Sequence, residues 1–340
     1  MIFEIWKQIR KKQIAPVYLL FGAETFFINE TKQLLMNHVL AEDESDFNLS
    51  SYDLAETPIE EVLEDAETLP FLGDKRLIFL HNPVFLTAEK TKEKVEHNLA
   101  KLEAYLKEPA PYSVLVFIAP YEKLDERKKV TKELKRVSAL FEAKKLSQPE
   151  LKQWIHERAT VQDIQITDQA AERMIELVGA NLFMLAGEMD KLTLYVTDSK
   201  YIDEEIVEKL VAKSLEQNIF TLIDKIVGRN VEGALRIFYD LLKQNEEPLK
   251  ILAMIVGQFR LIYQVKELSR RGYGQQQMAS FLKIHPYRVK LAAGHARSFS
   301  DEELTHMMRL LADADFQMKT GGMNKEMLIE LFLLQLNMKK

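Results

Sequence analysis

The chain has 340 residues, which is too long for one small hydrophobic core, and its 47% hydrophobic and 29% charged residues are typical of a folded protein. The absence of cysteine excludes disulfides, thiol nucleophiles and thiolate metal sites, and the net charge of −6 argues against a dedicated nucleic-acid coat protein. No stretch approaches the roughly 20 apolar residues of a membrane span, and the first residues do not form a signal-peptide pattern, so we expect a cytoplasmic protein.

Charge is distributed unevenly along the chain. Residues 1–213 carry a net charge of −10, whereas residues 214–340 carry a net charge of +4. The basic excess is densest at residues 260–297, where eight basic residues accompany the single acidic residue Glu267. This asymmetry predicts that the two ends of the molecule meet different partners.

The first 145 residues alternate short apolar strands with helices, a pattern that predicts a mostly parallel sheet covered on both faces. The predicted strands are residues 16–21, 47–52, 76–80, 113–118 and 139–142. The predicted helices between them are residues 29–40, 59–67 and 126–137.

From about residue 147 the pattern predicts helices only. The segment Ser147–Glu150 suits a helix start, because it places a proline and an acidic residue in the first turn. The predicted helices are residues 150–160, 168–178, 181–196 and 203–212, followed by a helical stretch from about residue 217 onward. We therefore expect an α/β domain at residues 1–145, a small helical domain at 146–213 and a larger helical domain at 214–340.

The first predicted strand ends at Gly22 before a helix, where an ATPase would have its phosphate-binding loop. Such a loop needs GxxxxGK[ST], so that backbone amides surround the phosphates, the lysine reaches the γ-phosphate and the hydroxyl binds Mg²⁺. The positions of Gly-Lys-Ser/Thr hold Phe27, Ile28 and Asn29, which cannot perform these tasks. The sequence therefore predicts a strand–turn–helix without a nucleotide site.

Motifs for other chemistry are also missing from the sequence. The seven histidines form no HExxH motif, no GxSxG nucleophile motif is present, and the acidic residues lie along predicted solvated helices. We therefore expect no catalytic residue, no metal site and no cofactor.

A bend after the second predicted helix is apolar where polar residues are expected. Its residues are Leu69, Pro70, Phe71, Leu72 and Gly73. The proline fixes one φ angle and the glycine permits a sharp reversal, so Phe71 and Leu72 are held in a defined position. Two interpretations stay open: Phe71 packs into the local core, which the sequence alone favours, or the turn is an apolar plug for a partner's pocket. As a plug, each buried side chain would contribute roughly 1.5–3 kcal/mol.

The basic stretch within residues 260–297 also has two interpretations. Its basic residues are Arg260, Lys266, Arg270, Arg271, Lys283, Arg288, Lys290 and Arg297. Residues 276–289 resemble a helix–turn–helix, but the second helix would begin at Pro286 and offers few side chains that could read base edges. We therefore favour a helical packing unit with some phosphate affinity over a sequence-specific DNA reader.

Taken together, the chain resembles the delta subunit of the bacterial DNA polymerase III clamp loader over essentially its whole length. The resemblance rests on the order and spacing of short segments: residues 18–22, 69–76, 179–182, 188–192, 247–248, 258–260, 285–287, 314–315 and 319–321. It implies a RecA/AAA+-like first domain that has lost ATP binding, a helical lid domain and a helical collar that joins a hetero-pentamer.

The resemblance also implies a role and partners. Delta subunits bind the β sliding clamp and hold one interface of the ring open for loading onto primed DNA, while ATPase subunits and delta-prime complete the loader. The chain would then be a non-catalytic part of the polymerase holoenzyme, a nucleotidyltransferase, with weak or indirect DNA contact. The family's apolar clamp contact carries over onto Phe71 with Leu69, Pro70 or Leu72.

Two alternatives to this role stay open. One is a true ATPase of the same fold, against which Phe27, Ile28 and Asn29 argue. The other is a DNA-binding regulator that uses residues 260–297.

Overall fold

The computed structural model describes residues 2–41, 44–71, 73–88, 95–321 and 323–335. The chain divides into two compact units, Met1–Lys145 and Leu146–Lys340. Within the described ranges, no helix combines the length and the apolar character needed to cross a membrane.

The first unit is built on a five-stranded sheet with the spatial order β2-β3-β4-β1-β5, in which all neighbouring strands are parallel. The strands are β1 (Val17–Phe21), β2 (Leu49–Asp53), β3 (Arg76–His81), β4 (Ser113–Ala119) and β5 (Ala139–Glu142). Every residue of β1 and β4 is buried, as expected for a parallel sheet with helices on both faces. The predicted parallel sheet is therefore confirmed.

Helices cover this sheet on both faces. The described helices are α1 (Ile2–Arg10), α2 (Thr25–Val39), α3 (Ser45–Asn48), α4 (Ile59–Ala66), α5 (Leu99–Tyr105) and α6 (Lys129–Val137), with a 3₁₀ turn at Val84–Leu86. Alternate residues of β1, namely Val17, Leu19 and Phe21, pack into one core with α4, α5 and α6, in keeping with the two-residue period of a strand.

The predictions for this unit need correction at several points. Helices α1, α3 and α5 were not predicted, and the predicted strand at residues 47–52 begins only at Leu49, because the preceding residues form α3. The helix predicted at residues 126–137 begins at Lys129. Helix α2 begins at Thr25, four residues before its predicted start, since the Glu24 side chain accepts a hydrogen bond from the Phe26 N–H and caps the helix.

The second unit is mostly helical, as predicted. Its first part contains α7 (Gln148–Val161), α8 (Asp168–Val178), α9 (Leu182–Tyr195) and α10 (Glu204–Leu210). The prediction of helices only is wrong at one point, because β6 (Gln165–Ile166) and β7 (Tyr201–Ile202) form a two-stranded parallel sheet. The helix start predicted at Ser147–Glu150 is confirmed, since the Ser147 N–H donates to the Glu150 carboxylate at 2.7 Å in a capping box.

The rest of the second unit packs around one long helix. Its helices are α11 (Leu215–Val227), α12 (Val231–Lys243), α13 (Pro248–Arg270), α14 (Gln275–Leu282), α15 (Pro286–Ala296), α16 (Asp301–Thr320) and α17 (Lys325–Gln335). Helix α13 buries Ile251, Ile255, Phe259 and Ile262 in the shared core. The domain boundary expected near residue 214 stays a prediction; Ser214 caps α11 there.

Candidate functional site

The loop after β1 lies at the carboxyl edge of the sheet, where α/β proteins commonly bind ligands. Gly22 has a φ of +125°, and a Cβ atom there would lie 2.2 Å from the carbonyl oxygen of Ala143. The same oxygen accepts from the Glu24 N–H at 2.9 Å, and the Ala143 N–H donates to the Phe21 carbonyl at 2.6 Å. The backbone that follows β5 therefore lies directly against this loop, and only glycine fits at position 22.

Two of the three residues at the phosphate-loop positions are buried in the protein. Phe27 and Ile28 are 2% and 4% exposed, while Asn29 faces solvent. The Phe27 ring lies 6.0 Å from the ring of Phe141 and 6.1 Å from that of Trp6. Aromatic side chains therefore surround the position of the second glycine of a phosphate loop, and the buried Ile28 occupies the position of its lysine. In the ranges that the structure describes, no group of three or more His, Asp or Glu side chains could hold a metal ion.

The apolar turn lies at the opposite, amino edge of the sheet. It connects α4 to the start of β3, and α3 leads into the start of β2. Strands β2 and β3 are parallel neighbours, with Leu49 opposite Leu77, so the turn and α3 reach the same edge of the sheet.

The side chains of this turn point into solvent. Leu69 is 69% exposed and Phe71 is 61% exposed, while Pro70 is half-buried. Leu72 lies outside the described residues. The interpretation that Phe71 packs into the local core is therefore wrong.

The end of α4 that carries the turn is held by side chains from the start of β4. The Ser113 hydroxyl donates to the carbonyl of Ala66 at 2.6 Å, and the Tyr112 hydroxyl donates to the carbonyl of Glu67 at 2.8 Å. These bonds satisfy carbonyl groups that the helix end leaves without intrahelical partners. The turn is thus attached to a fixed helix end.

A second segment, Glu44–Asn48, holds the turn from the other side. The buried Asn48 side chain accepts from the Phe71 N–H at 2.8 Å and donates to the Phe71 carbonyl at 2.9 Å. The ring of Phe47 lies 5.3 Å from that of Phe71. Gly73 has a φ of +85°, and a Cβ atom there would lie 2.3 Å from the Glu44 carboxylate. Sequence reasoning missed this segment, because no local pattern connects residues 23 positions apart.

The basic residues of 260–297 differ in their surroundings. Lys266 and Arg270 both pair with Asp301, and Arg288 pairs with Glu216 at 2.8 Å. The remaining basic residues of the stretch, all exposed, are Arg260, Arg271, Lys283, Lys290 and Arg297. Acidic neighbours therefore neutralise part of the predicted patch.

Helices α14 and α15 are joined by a turn in which Lys283 adopts a φ of +55°. Along α15 only Lys290 and Gly294 are exposed. A recognition helix needs several exposed side chains near its N-terminus to reach base edges. The geometry therefore gives little support to a sequence-specific DNA reader.

Family models match three stretches of the chain. One described as DNA polymerase III, delta subunit, matches residues 18–144, and one described as the C-terminal domain of the DNA polymerase III delta subunit matches residues 216–336. A third, described as a middle domain, matches residues 147–209. The first two matches define the class of protein as a DNA polymerase III subunit.

Relatives are similar over most or all of the chain. The DNA polymerase III subunit delta of Bacillus subtilis (strain 168) is 50% identical over 336 residues, which cover 99% of this chain and 97% of the relative. The probable DNA polymerase III subunit delta of Aquifex aeolicus (strain VF5) is 23% identical over 254 residues, covering 74% of this chain and 72% of the relative. The structure of the Bacillus subtilis DNA clamp loader delta protein covers both chains fully, with a TM-score of 0.92 and 50% identity. The chain belongs to the delta-subunit family of the DNA polymerase III clamp loader.

Proposed function

We propose that this delta subunit binds the β sliding clamp through Leu69 and Phe71 and helps to open the ring for loading onto primed DNA. The observation that carries the proposal is the turn itself, which exposes 69% of Leu69 and 61% of Phe71 on an anchored backbone. Exposed large apolar side chains on a fixed turn are suited to fill a partner's pocket, because little conformational entropy is lost on docking.

The proposed mechanism is the selection of a strained state of the ring. A turn that binds the open or distorted clamp interface better than the closed one shifts the ring's equilibrium by that difference in affinity. This step needs no nucleotide in the delta subunit. The Phe27 ring cluster and the backbone packed on Gly22 support a first domain of RecA/AAA+-like descent that does not use ATP.

The proposal extends to the rest of the assembly. Residues 146–213 serve as the lid domain and residues 214–340 as the collar, which contacts the ATPase subunits and delta-prime in a hetero-pentamer. The exposed basic residues of 260–297 make weak contacts with DNA phosphates. Weak duplex binding whose affinity falls steeply with salt and does not depend on sequence is the expected behaviour.

Titration of the purified chain with the sliding clamp of the same organism tests the proposal. Phe71→Ala and Leu69→Ala should each weaken clamp affinity by about 10-fold or more, because each removes an apolar anchor from the centre of the contact. Phe316→Ala is the matched control, since Phe316 is also a phenylalanine with 67% of its surface exposed, but lies in α16.

Melting temperatures separate docking from folding in this experiment. All three variants should melt close to the wild type, because exposed side chains contribute little to the core. Wild-type affinity of the Phe71→Ala variant, or its unfolding, would refute the proposed contact.

A further inference from the structure

The ring of Phe71 does not stand alone on the surface. Phe47, which comes from α3, is 54% exposed, and its ring centre lies 5.3 Å from that of Phe71 with an interplanar angle of 54°. This distance falls in the range of favourable aromatic pairs, yet each of the two residues keeps more than half of its surface exposed to solvent. With Leu69, the two rings form a larger apolar surface than the turn alone provides.

Asn48 controls the direction of the Phe71 side chain. It is fully buried and its amide group bonds both the N–H and the carbonyl of Phe71, at 2.8 and 2.9 Å. Two such bonds to one residue restrict its backbone in the way that a strand neighbour would. Since the direction of the Cα–Cβ bond follows from the backbone, Asn48 fixes the direction in which the Phe71 side chain leaves the turn.

The same segment also touches the far side of the turn. The Glu44 carboxylate lies over Gly73, where a Cβ atom would come within 2.3 Å of a carboxylate oxygen. The Glu44 carboxylate is itself held by the Ala41 N–H at 3.2 Å. The segment Glu44–Asn48 therefore supports the turn at both Phe71 and Gly73.

We propose that Glu44–Asn48 is the second half of the clamp-docking surface, in which Phe47 contacts the clamp directly beside Phe71 and Asn48 positions Phe71. This inference rests on the proposed function, because it assigns the same partner to a surface continuous with the Leu69–Phe71 contact. Phe47 adds apolar area to the contact. Asn48 acts through Phe71 and increases the fraction of molecules whose ring already points in the binding direction.

A double-mutant cycle with the sliding clamp tests the direct contact of Phe47. Phe47→Ala should weaken clamp affinity by about five-fold, given its half-exposed ring, and should weaken it further when Phe71→Ala is already present. The control Phe316→Ala should leave affinity unchanged. No loss from Phe47→Ala, or no further loss in the Phe71→Ala background, overturns direct contact by Phe47.

Titration stoichiometry tests the positioning role of Asn48. Asn48→Ala should raise the Kd about five-fold or more while the stoichiometry stays at one, because a mobile turn lowers the fraction of binding-competent conformers in every folded molecule. Its Phe71 amide should also exchange with solvent faster than in the wild type. A merely structural role would instead lower the active fraction without changing the Kd, and this outcome overturns the assignment.

Different results refute the proposed function and the role of Glu44–Asn48. If Phe71→Ala weakens binding but the Phe47 and Asn48 variants bind like the wild type, the proposed function stands and this inference is refuted. If Phe71→Ala binds like the wild type, both are refuted.

Discussion

A mostly buried ion pair connects α4 and β3, the two elements on either side of the apolar turn. Asp65 lies in the last turn of α4 and pairs with Arg76, the first residue of β3, and their side chains are 16% and 10% exposed. The Tyr52 hydroxyl donates to the Asp65 carboxylate at 3.1 Å. Burial is the larger cause that raises the pKa of Tyr52, and the negative charge of Asp65 raises this pKa further. Asp65→Asn removes the negative charge and preserves the shape, so it leaves the guanidinium group buried without a counter-charge.

The expected cost of Asp65→Asn follows from this burial. Removing one partner of a buried pair costs about 3–5 kcal/mol of unfolding free energy, and we expect about 3 kcal/mol because both side chains keep some exposure. Replacing both partners, with Asp65→Leu and Arg76→Met, should return stability to within about 1 kcal/mol of the wild type. The double variant leaves no charge buried, and the Tyr52 hydroxyl is the group that loses an acceptor.

The two tryptophans allow the unfolding of the first unit to be measured separately. Trp6 lies in the first unit and Trp154 in the second. In a Trp154→Phe background, urea unfolding followed by the remaining fluorescence reports the unit that contains the ion pair. A cost below about 1 kcal/mol, typical of exposed pairs, would refute the reasoning, as would a double variant no more stable than Asp65→Asn.

Three further predictions concern the packing of the first unit. Gly22→Ala should strongly lower the melting temperature, because its Cβ would lie 2.2 Å from a backbone oxygen at a φ of +125°. The control is Gly257→Ala in α13 of the second unit, where a Cβ would have nothing within 4 Å. This control should stabilise the chain by about 0.5–1 kcal/mol. Ile28→Lys should not create ATP binding in a nucleotide titration and should destabilise the fold, because the side chain at position 28 is 4% exposed and the lysine would bury an unpaired charge. Burial raises the pKa of Tyr105 to about 12, above the ordinary value of about 10. Its stabilising contribution is complete below pH 10 and is lost between pH 10 and about 12, so alkaline unfolding should show a smaller loss over this window in Tyr105→Phe than in the wild type.

The strands were predictable where a continuous apolar run coincides with full burial. The predicted strands at residues 16–21 and 113–118 match β1 and β4 within one residue, because an apolar run between turn residues has few other stable conformations at that length. The two-residue strands β6 and β7 were missed, since a strand of that length has no detectable alternation. The start of β2 was misplaced because the apolar Phe47 extends its pattern backward into α3.

The apolar turn was predictable as a turn, but the direction of its side chains was not. Pro70 and Gly73 mark a bend in the sequence, yet whether Phe71 faces the core or the solvent depends on its backbone pairing with Asn48. That pairing connects segments that are brought together because β2 and β3 are neighbours in the sheet. The local sequence contains no signal for the pairing of Phe71 with Asn48, which is why the sequence alone favoured the wrong environment for Phe71.

The structure also limits how much this subunit can contribute to ring opening under the proposed function. Leu69 and Phe71 are 69% and 61% exposed, so burying the remaining surface contributes roughly 1–2 kcal/mol each. A total of roughly 2–4 kcal/mol can shift the open–closed equilibrium by at most roughly 30- to 1,000-fold. Converting a ring from 1% to 99% open needs about 10⁴-fold, so the two anchors alone fall short. A third anchor at Phe47 would narrow this gap, and the remainder must come from a ring that already opens readily or from other subunits of the loader.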